Sequence, residues 1–511
     1  MEENILEILE TTVDKYPDKQ AVKDPEKELT YSELLYAAKS IGKSIVRLAG
    51  DLNGQPVALF TEKNVELYAS LFGAVYAGAF YVYINPEQTK DRINKILSVL
   101  EPKLIIYDDQ LKGRLDETGY KGHIVAFSEL FKERNPLKVY DNGEGDIPNL
   151  LKRKSPLYGI FTSGSTGTPK CVLIDHGSVL DFIGHFIETF DFTEKDVIAN
   201  QAPFDFDVSV KDIYTAIMTG ASMLLIPRDY FSKPPVLVDY ICDNHATNLT
   251  WAVSALCIIS GMKGLDYRLP VDIKRVLFSG EVMPAKQLMI WQKALPDVTY
   301  VNLYGPSEIT CNCTYYVIDH EIAASEKLPL GKVFAGRKVL LLSEDGKEIK
   351  EKNVPGEIAV SGESLAIGYY HNEEETKKHF IIRQDEKGNE VRTYLTGDLA
   401  QIADDNEIYF AGRKDFQIKH MGHRIELEEI ERTIGNYSGV ERCCARYDAE
   451  KSRIYLYYTG SQEKRSLHIE VKEKLPLYMV PNKFIHVESF ILNKNGKIDR
   501  KLLDDNPVVS K

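Results

Sequence analysis

Over roughly the first four hundred residues, short β-branched and apolar runs alternate with longer amphipathic stretches, the pattern of βαβ units around largely parallel sheets. PVALF, KLIIYDD, HIVAF, SMLLIP, NLTWAV, KRVLFSG and TYVNLYG are the clearest strands. Several end at Gly, Ser or Asn, so polar loops fall at strand carboxyl ends, where open α/β sheets bind ligands. The stretch from Leu67 to Ile84 is apolar enough to raise the question of a membrane span, but it contains Ser70, Gly73, Gly78 and four tyrosines. It predicts a buried helix, a break near Gly78 and then the strand AFYVYI.

Near Gly412 to Asp415 the pattern changes. RIELEEIERTIG reads as a helix, GVERCCARYD and RIYLYYTG as strands, and SLHIEVKEKLP as a second helix. These make an α+β unit of about a hundred residues, the size of an independent domain. The expected organisation is a large N-terminal domain, 1–414, and a small C-terminal domain, 415–511. A chain of 511 residues is too long for one ordinary core. Hydrophobic residues at 43% and charged residues at 27% are typical of folded globular chains. A net charge of -13 argues against a nucleic-acid partner. Seven scattered cysteines, with no second pair at zinc-ligand spacing beside Cys311-x-Cys313 or Cys443–Cys444, read as reduced thiols. MEENILEILE lacks the basic start and apolar run of an export signal, so a cytoplasmic location without a membrane segment is expected. The short stretch after NGKIDRKLL is expected to hold no further folded module.

YGIFTSGSTGTPK, Tyr158 to Lys170, is an apolar strand running into a Gly/Ser/Thr loop with a basic end. Such a loop suits polyphosphate, because glycines admit oxygen atoms to backbone N–H groups, hydroxyls add donors and Lys170 adds positive charge. It is not a Walker A loop: the spacing is G-x-x-G-x-x-K, and Cys171 stands where Ser or Thr would hold magnesium. A plain surface turn has the same composition.

Together with TSGSTGTPK, the segments NQAPFDFDVSV, NLYGPSE, GEIAVSG, YLTGD, GRKDFQIKHMGHRIELEEIE and NGKIDRK resemble the adenylate-forming superfamily, in family order and over essentially the whole chain. That superfamily includes acyl-CoA synthetases, luciferases and the amino-acid-activating domains of nonribosomal peptide synthetases. PFDFDVSVKDIY, FSGEVMP, DFQIK and LPLYMVP look most like D-alanine:carrier-protein ligases. The resemblance implies an α/β fold: parallel sheets with helices and a small β-barrel subdomain, followed by a mobile α+β domain. It implies ATP and Mg2+ as cofactors, a small amino acid of alanine or serine type as substrate, and a phosphopantetheinylated carrier protein as acceptor. A monomer is expected. An acidic amino acid, or coenzyme A chemistry on an acyl group, are the alternatives.

Residue by residue, the resemblance assigns Thr162, Ser163, Gly164, Ser165, Thr166, Gly167 and Lys170 to the phosphates. Gly280, Glu281, Asn302, Tyr304, Gly305 and Ser307 fall around the nucleotide, Asn302 on the adenine edge and Tyr304 stacked on the ring. Glu308 would hold magnesium, and Asp398 with Arg413 the ribose. Lys497 would stabilise charge at the reacting carboxylate and α-phosphate, acting with Thr162 and Glu308. Asp415 would be the hinge of the small domain, with the segment around Gly422 facing the pantetheine arm. The substrate pocket would be Asp207, Val208, Lys211, Trp251, Leu277, Ser279, Leu303, Cys311 and Asn312, with Asp207 facing the substrate ammonium. Phe204, Phe206, Val208 and Val210 alternate around Asp207 as in a buried strand. Lys211 departs from the apolar or aromatic residue of many relatives; it is expected to snorkel out of the pocket, the other reading being a pair with an acidic side chain such as aspartate. Ser279 replaces a cysteine of the D-alanine ligases, Ser307 a frequent Thr, and Cys171 a frequent Gly.

Overall fold

The structure, a computed structural model, describes residues 3–130, 151–164, 168–414, 417–449, 451–491, 498, 500 and 503. It forms two compact units. One comprises Met1–Pro86, Leu100–Ile160 and Cys171–Lys414; the other comprises Glu87–Val99, Phe161–Lys170 and Asp415–Lys511.

The first unit is built on parallel sheets. Six parallel strands, Thr299–Tyr304, Arg275–Ser279, Asn248–Ala252, Val197–Asn200, Ser222–Leu225 and Gln20–Lys23, lie side by side in that order. Antiparallel strands extend both edges: Thr314–Ile318 and Lys332–Val333 on one side, Glu28–Thr30 on the other. Helices cover the sheet, so its strands are apolar on both faces and two cores form. Leu277, Val301 and Leu303 point into one core, Trp251, Val276, Phe278 and Tyr300 into the other. A second sheet runs in the order Gly368–Tyr369, Lys170–Asp175, Pro156–Thr162, Phe80–Tyr83, Pro56–Phe60, Leu104–Tyr107, Ile124–Ala126. The seven runs singled out as the clearest strands therefore all occur as strands.

The apolar stretch from Leu67 behaves as expected. Val65–Tyr76 is a helix buried at every residue but Glu66, Gly78 takes a φ of 78°, and Phe80–Tyr83 is a buried strand. Its Gly73 has a packing reason: a Cβ there would lie 2.5 Å from Ile41 Cγ2, on the helix Tyr31–Ala49 that crosses it. No described helix is long and apolar enough to cross a membrane. The β subdomain, expected as a small barrel, is a five-stranded antiparallel sheet in the order Arg337–Leu342, Gly356–Gly362, Glu390–Ile402, Phe380–Gln384, with Ile408–Arg413 also paired to Glu390–Ile402.

In the second unit, a hairpin Gln417–His420/His423–Glu426 leads into the helix Leu427–Gly435. The helix was expected from Arg424; instead Arg424–Glu426 pairs in the hairpin, where Ile425 alternates into the core. Val440–Asp448 and Arg453–Gly460 pair antiparallel, Lys483–His486 adds in parallel, and the helix Lys464–Lys474 contributes Leu467 and Val471 to the same core. Arg92 and Glu429 form an ion pair at 3.2 Å with both side chains buried. Asp415 and Lys497 lie outside the described residues.

Candidate active site

At the carboxyl end of the strand Thr299–Tyr304, the Tyr304 hydroxyl donates to Asp398 Oδ2 at 2.6 Å, and Arg413 donates to Asp398 Oδ1 at 2.5 Å. Asp398 and Arg413 are cross-strand partners in the β subdomain, so the tyrosine ties that sheet to the large parallel one. Asp398 is fully buried, and its two carboxylate oxygens are divided between a cation and a phenol. Burial, then the neighbouring carboxylate, push the Tyr304 phenol well above its ordinary pKa, so it remains a donor. Asn302, on the same strand, donates from its amide to the Pro329 carbonyl at 3.0 Å.

The loop after this strand carries Gly305, Ser307 and Glu308. A Cβ on Gly305 would lie 2.5 Å from Asn312 Cα, so glycine is required for the chain to fold back on itself. Glu308 is buried and accepts from the Tyr369 hydroxyl at 2.7 Å. Thr310 and Cys311 both have left-handed φ, 56° and 73°, an uncommon conformation for non-glycine residues and more so for a β-branched one. The Thr310 hydroxyl, bonded to the Ser364 carbonyl at 2.7 Å, helps hold it. Gly280, with φ of 95°, follows the strand Arg275–Ser279, and Glu281 is next in the chain.

This turn brings Cys311 and Asn312 to Asp207 and Lys211. The Ser307 hydroxyl donates to Asp207 Oδ2 at 2.7 Å, and the Cys311 thiol, raised in pKa mainly by burial, donates to the Asp207 carbonyl at 3.2 Å. Asp207 is not on a strand. Residues 201–207 form a turn, and Asp207 is the N-cap position of the helix Val208–Thr219, already in helical φ/ψ. The FDFDV alternation imitates strand periodicity over too short a run to decide between the two.

Lys211 corrects a second expectation. Its side chain does not snorkel: the residue is 1% exposed, and Nζ donates to Asn312 Oδ1 at 2.8 Å and lies 3.5 Å from Ser279 Oγ. Val208, Leu277 and Leu303 are buried around it in the same core as Cys311, or beside it. Trp251 is the third correction. It packs in the opposite core with Val276 and Phe278, its indole bonded to the Ala199 carbonyl at 2.7 Å. Parallel neighbours in register share a face, and Trp251 is registered with Phe278, whereas Thr250 is registered with Leu277 and Ala252 with Ser279.

Sequence reading therefore missed Thr250, and with it a polar group behind the pocket. Asp212 accepts from Asn200 Nδ2 at 2.9 Å and from Thr250, while Lys63 donates to Asn200 Oδ1 at 3.0 Å. Burial drives the Lys63 pKa down to about 7 and the Asp212 pKa up to about 7. Tyr158, within electrostatic reach of Cys311 and Asp207, was also missed. Its ring stacks on Tyr81, and its buried hydroxyl has no hydrogen-bond partner. Strand register would have flagged Thr250; nothing in the sequence distinguishes Tyr158 from a core tyrosine.

The glycine-rich loop belongs to the second unit. The strand Pro156–Thr162 ends at Thr162, and the Ser163 hydroxyl donates to the Arg424 carbonyl at 2.7 Å. A Cβ on Gly164 would lie 2.1 Å from the Thr168 carbonyl oxygen, so the loop closes only over glycine. Lys170 opens the next strand. Ser165, Thr166 and Gly167 lie outside the described residues.

Known proteins share this architecture and sequence. The family profile for AMP-binding enzyme matches residues 9–370. D-alanine--D-alanyl carrier protein ligase of Bacillus cereus (strain G9842) is 30% identical, the match covering 98% of each chain. Bacitracin synthase 1 of Bacillus licheniformis is 31% identical over 98% of this chain and 9% of its own. The chain spans 8% to 19% of the length of the large curated synthases it matches. A solved holo NRPS protein containing adenylation and PCP domains superposes with a TM-score of 0.83 at 22% identity, over 98% of this chain and 84% of that one, which is a likeness of fold. The chain belongs to the AMP-binding enzyme family, the superfamily of adenylate-forming, AMP-producing ligases.

Proposed function

We propose that the chain uses ATP to activate a small α-amino acid as its aminoacyl-adenylate and transfers the aminoacyl group to the phosphopantetheine thiol of a separate carrier protein. The observation that carries this reading is Asp207: a carboxylate held by the Ser307 hydroxyl beside the buried Val208, Leu277, Leu303 and Cys311 is well suited to a substrate ammonium, and poorly suited to a fatty chain. In the first step a substrate carboxylate oxygen attacks the α-phosphorus and pyrophosphate leaves. In the second, the carrier thiol attacks the carbonyl carbon, AMP leaves, and the thiol proton passes to solvent. The relative from Bacillus cereus, named for a carrier protein and matched along 98% of its length, supports transfer in trans.

In this reading Tyr304 and Asn302 contact the adenine and Asp398 with Arg413 the ribose, while Gly280, Glu281 and Gly305 border the nucleotide. The loop from Thr162 to Lys170 meets the phosphates, and Lys497 offsets the charge that accumulates as two anions meet. Glu308 fits a magnesium ion. Its buried carboxylate is a hard oxygen donor, of the kind that would hold magnesium together with phosphate oxygens. Bound with ATP, the ion neutralises polyphosphate charge. Asp415 serves as the hinge that lets one site host both steps.

The test is pyrophosphate exchange with Mg-ATP across amino acids, acetate and fatty acids, followed by mass measurement of phosphopantetheinylated carriers. Exchange only with compounds bearing an ammonium, and mass gain on a carrier, are expected. Equal exchange with acetate, or efficient transfer to coenzyme A with no carrier modified, would refute the reading.

A further inference from the structure

Lys211 stands four residues after Asp207 on one helix, so the two side chains share a face one turn, about 5.4 Å, apart. The ammonium of Lys211 is buried, and its described hydrogen-bond partners are the neutral oxygens of Asn312 and Ser279, which together accept from only two of its three N–H groups. A buried ammonium facing neutral acceptors is poorly compensated. Asp212, the next residue, is shared: it acts electrostatically on Lys211 and, through the Asn200 bridge, faces Lys63 as well, so one buried carboxylate serves two cations. On the other side, the buried Tyr158 hydroxyl has no hydrogen-bond partner and lies within electrostatic reach of Cys311 and Asp207. With Asp207 assigned to the substrate ammonium, the pocket holds a surplus cation and surplus donors. It lacks an anion.

We infer that the substrate side chain ends in a carboxylate that pairs with Lys211, which makes the substrate a short acidic amino acid of aspartate's size. This rests on the pocket being the amino-acid site, as proposed above. A carboxylate only accepts hydrogen bonds, so it matches a donor surplus that a methyl group cannot use and a hydroxyl uses in part. The single helical turn between Asp207 and Lys211 suits the short span from ammonium to side-chain carboxylate in aspartate. Lys211 is then a specificity-determining residue, and Tyr158 supports it.

The experiment measures pyrophosphate exchange by the full chain with both enantiomers of aspartate, serine and alanine, and with glycine and glutamate. Aspartate of one hand should exceed serine and alanine at least tenfold in kcat/KM. Lys211→Met should raise the KM for aspartate at least tenfold and reduce the aspartate-to-serine ratio by more than tenfold, with ATP binding unchanged. If that variant does not fold, Tyr158→Phe should lower the same ratio several-fold. Serine, alanine or glycine exchanging best, with aspartate silent, would overturn the inference and leave amino-acid activation standing. Exchange with carboxylic acids lacking an amine would overturn both.

Discussion

The candidate site holds two buried charge clusters, and they are completed differently. Asp398 has a cation and a phenol on its two oxygens, supplied by two separate sheets. Lys211 has neutral hydrogen-bond acceptors, and Tyr158, within electrostatic reach of Asp207, has an idle hydroxyl. The first cluster is finished by the protein itself; the second is short of an anion. Under the proposed assignment, a nucleotide common to a whole family is met by fixed geometry, whereas a variable substrate meets groups left open for it.

The largest effect should come from Lys497→Ala, which tests whether either cluster supplies the reacting charge. Exchange should fall about 10²- to 10³-fold or more with nucleotide binding retained, the cost of a lost preorganised donor. Near-normal exchange would mean that a described cation does the work. Asp398→Asn should come next. Breaking a buried pair leaves Arg413 uncompensated and costs about 3 to 5 kcal/mol in denaturant unfolding. Lys211→Met, which removes a charge bonded to neutral oxygens, should cost much less, and equal losses would erase the contrast drawn here. Smallest should be Tyr304→Phe: one hydrogen bond lost, about 1 kcal/mol, read as roughly fivefold weaker nucleotide binding.

The strands of the large unit were legible because each is a short apolar run bounded by polar or glycine residues, as NLTWAV and KRVLFSG show. The resemblance supplied most of the candidate site. Two failures at the site share one cause: side-chain direction depends on partners far away in the chain. Trp251 was assigned to the wrong face because its register with Phe278 is a tertiary fact. Lys211 was expected in solvent because nothing in VSVKDIY reveals an acceptor at Asn312. FDFDV read as a strand because five residues carry too little periodicity, and RIELEE read as helix although its first three residues pair in a hairpin.

The paired left-handed residues Thr310 and Cys311 bear on how this pocket could be redesigned. Their turn presses Asn312 against Gly305 so closely that no side chain fits between, which makes positions 305 to 312 a closed unit. Lys211 and Ser279 sit instead on a regular helix and a regular strand, where a new side chain leaves the backbone as it is. Libraries aimed at new substrates are therefore best confined to positions 211, 250 and 279, with the 305–312 segment moved between homologues only as one block.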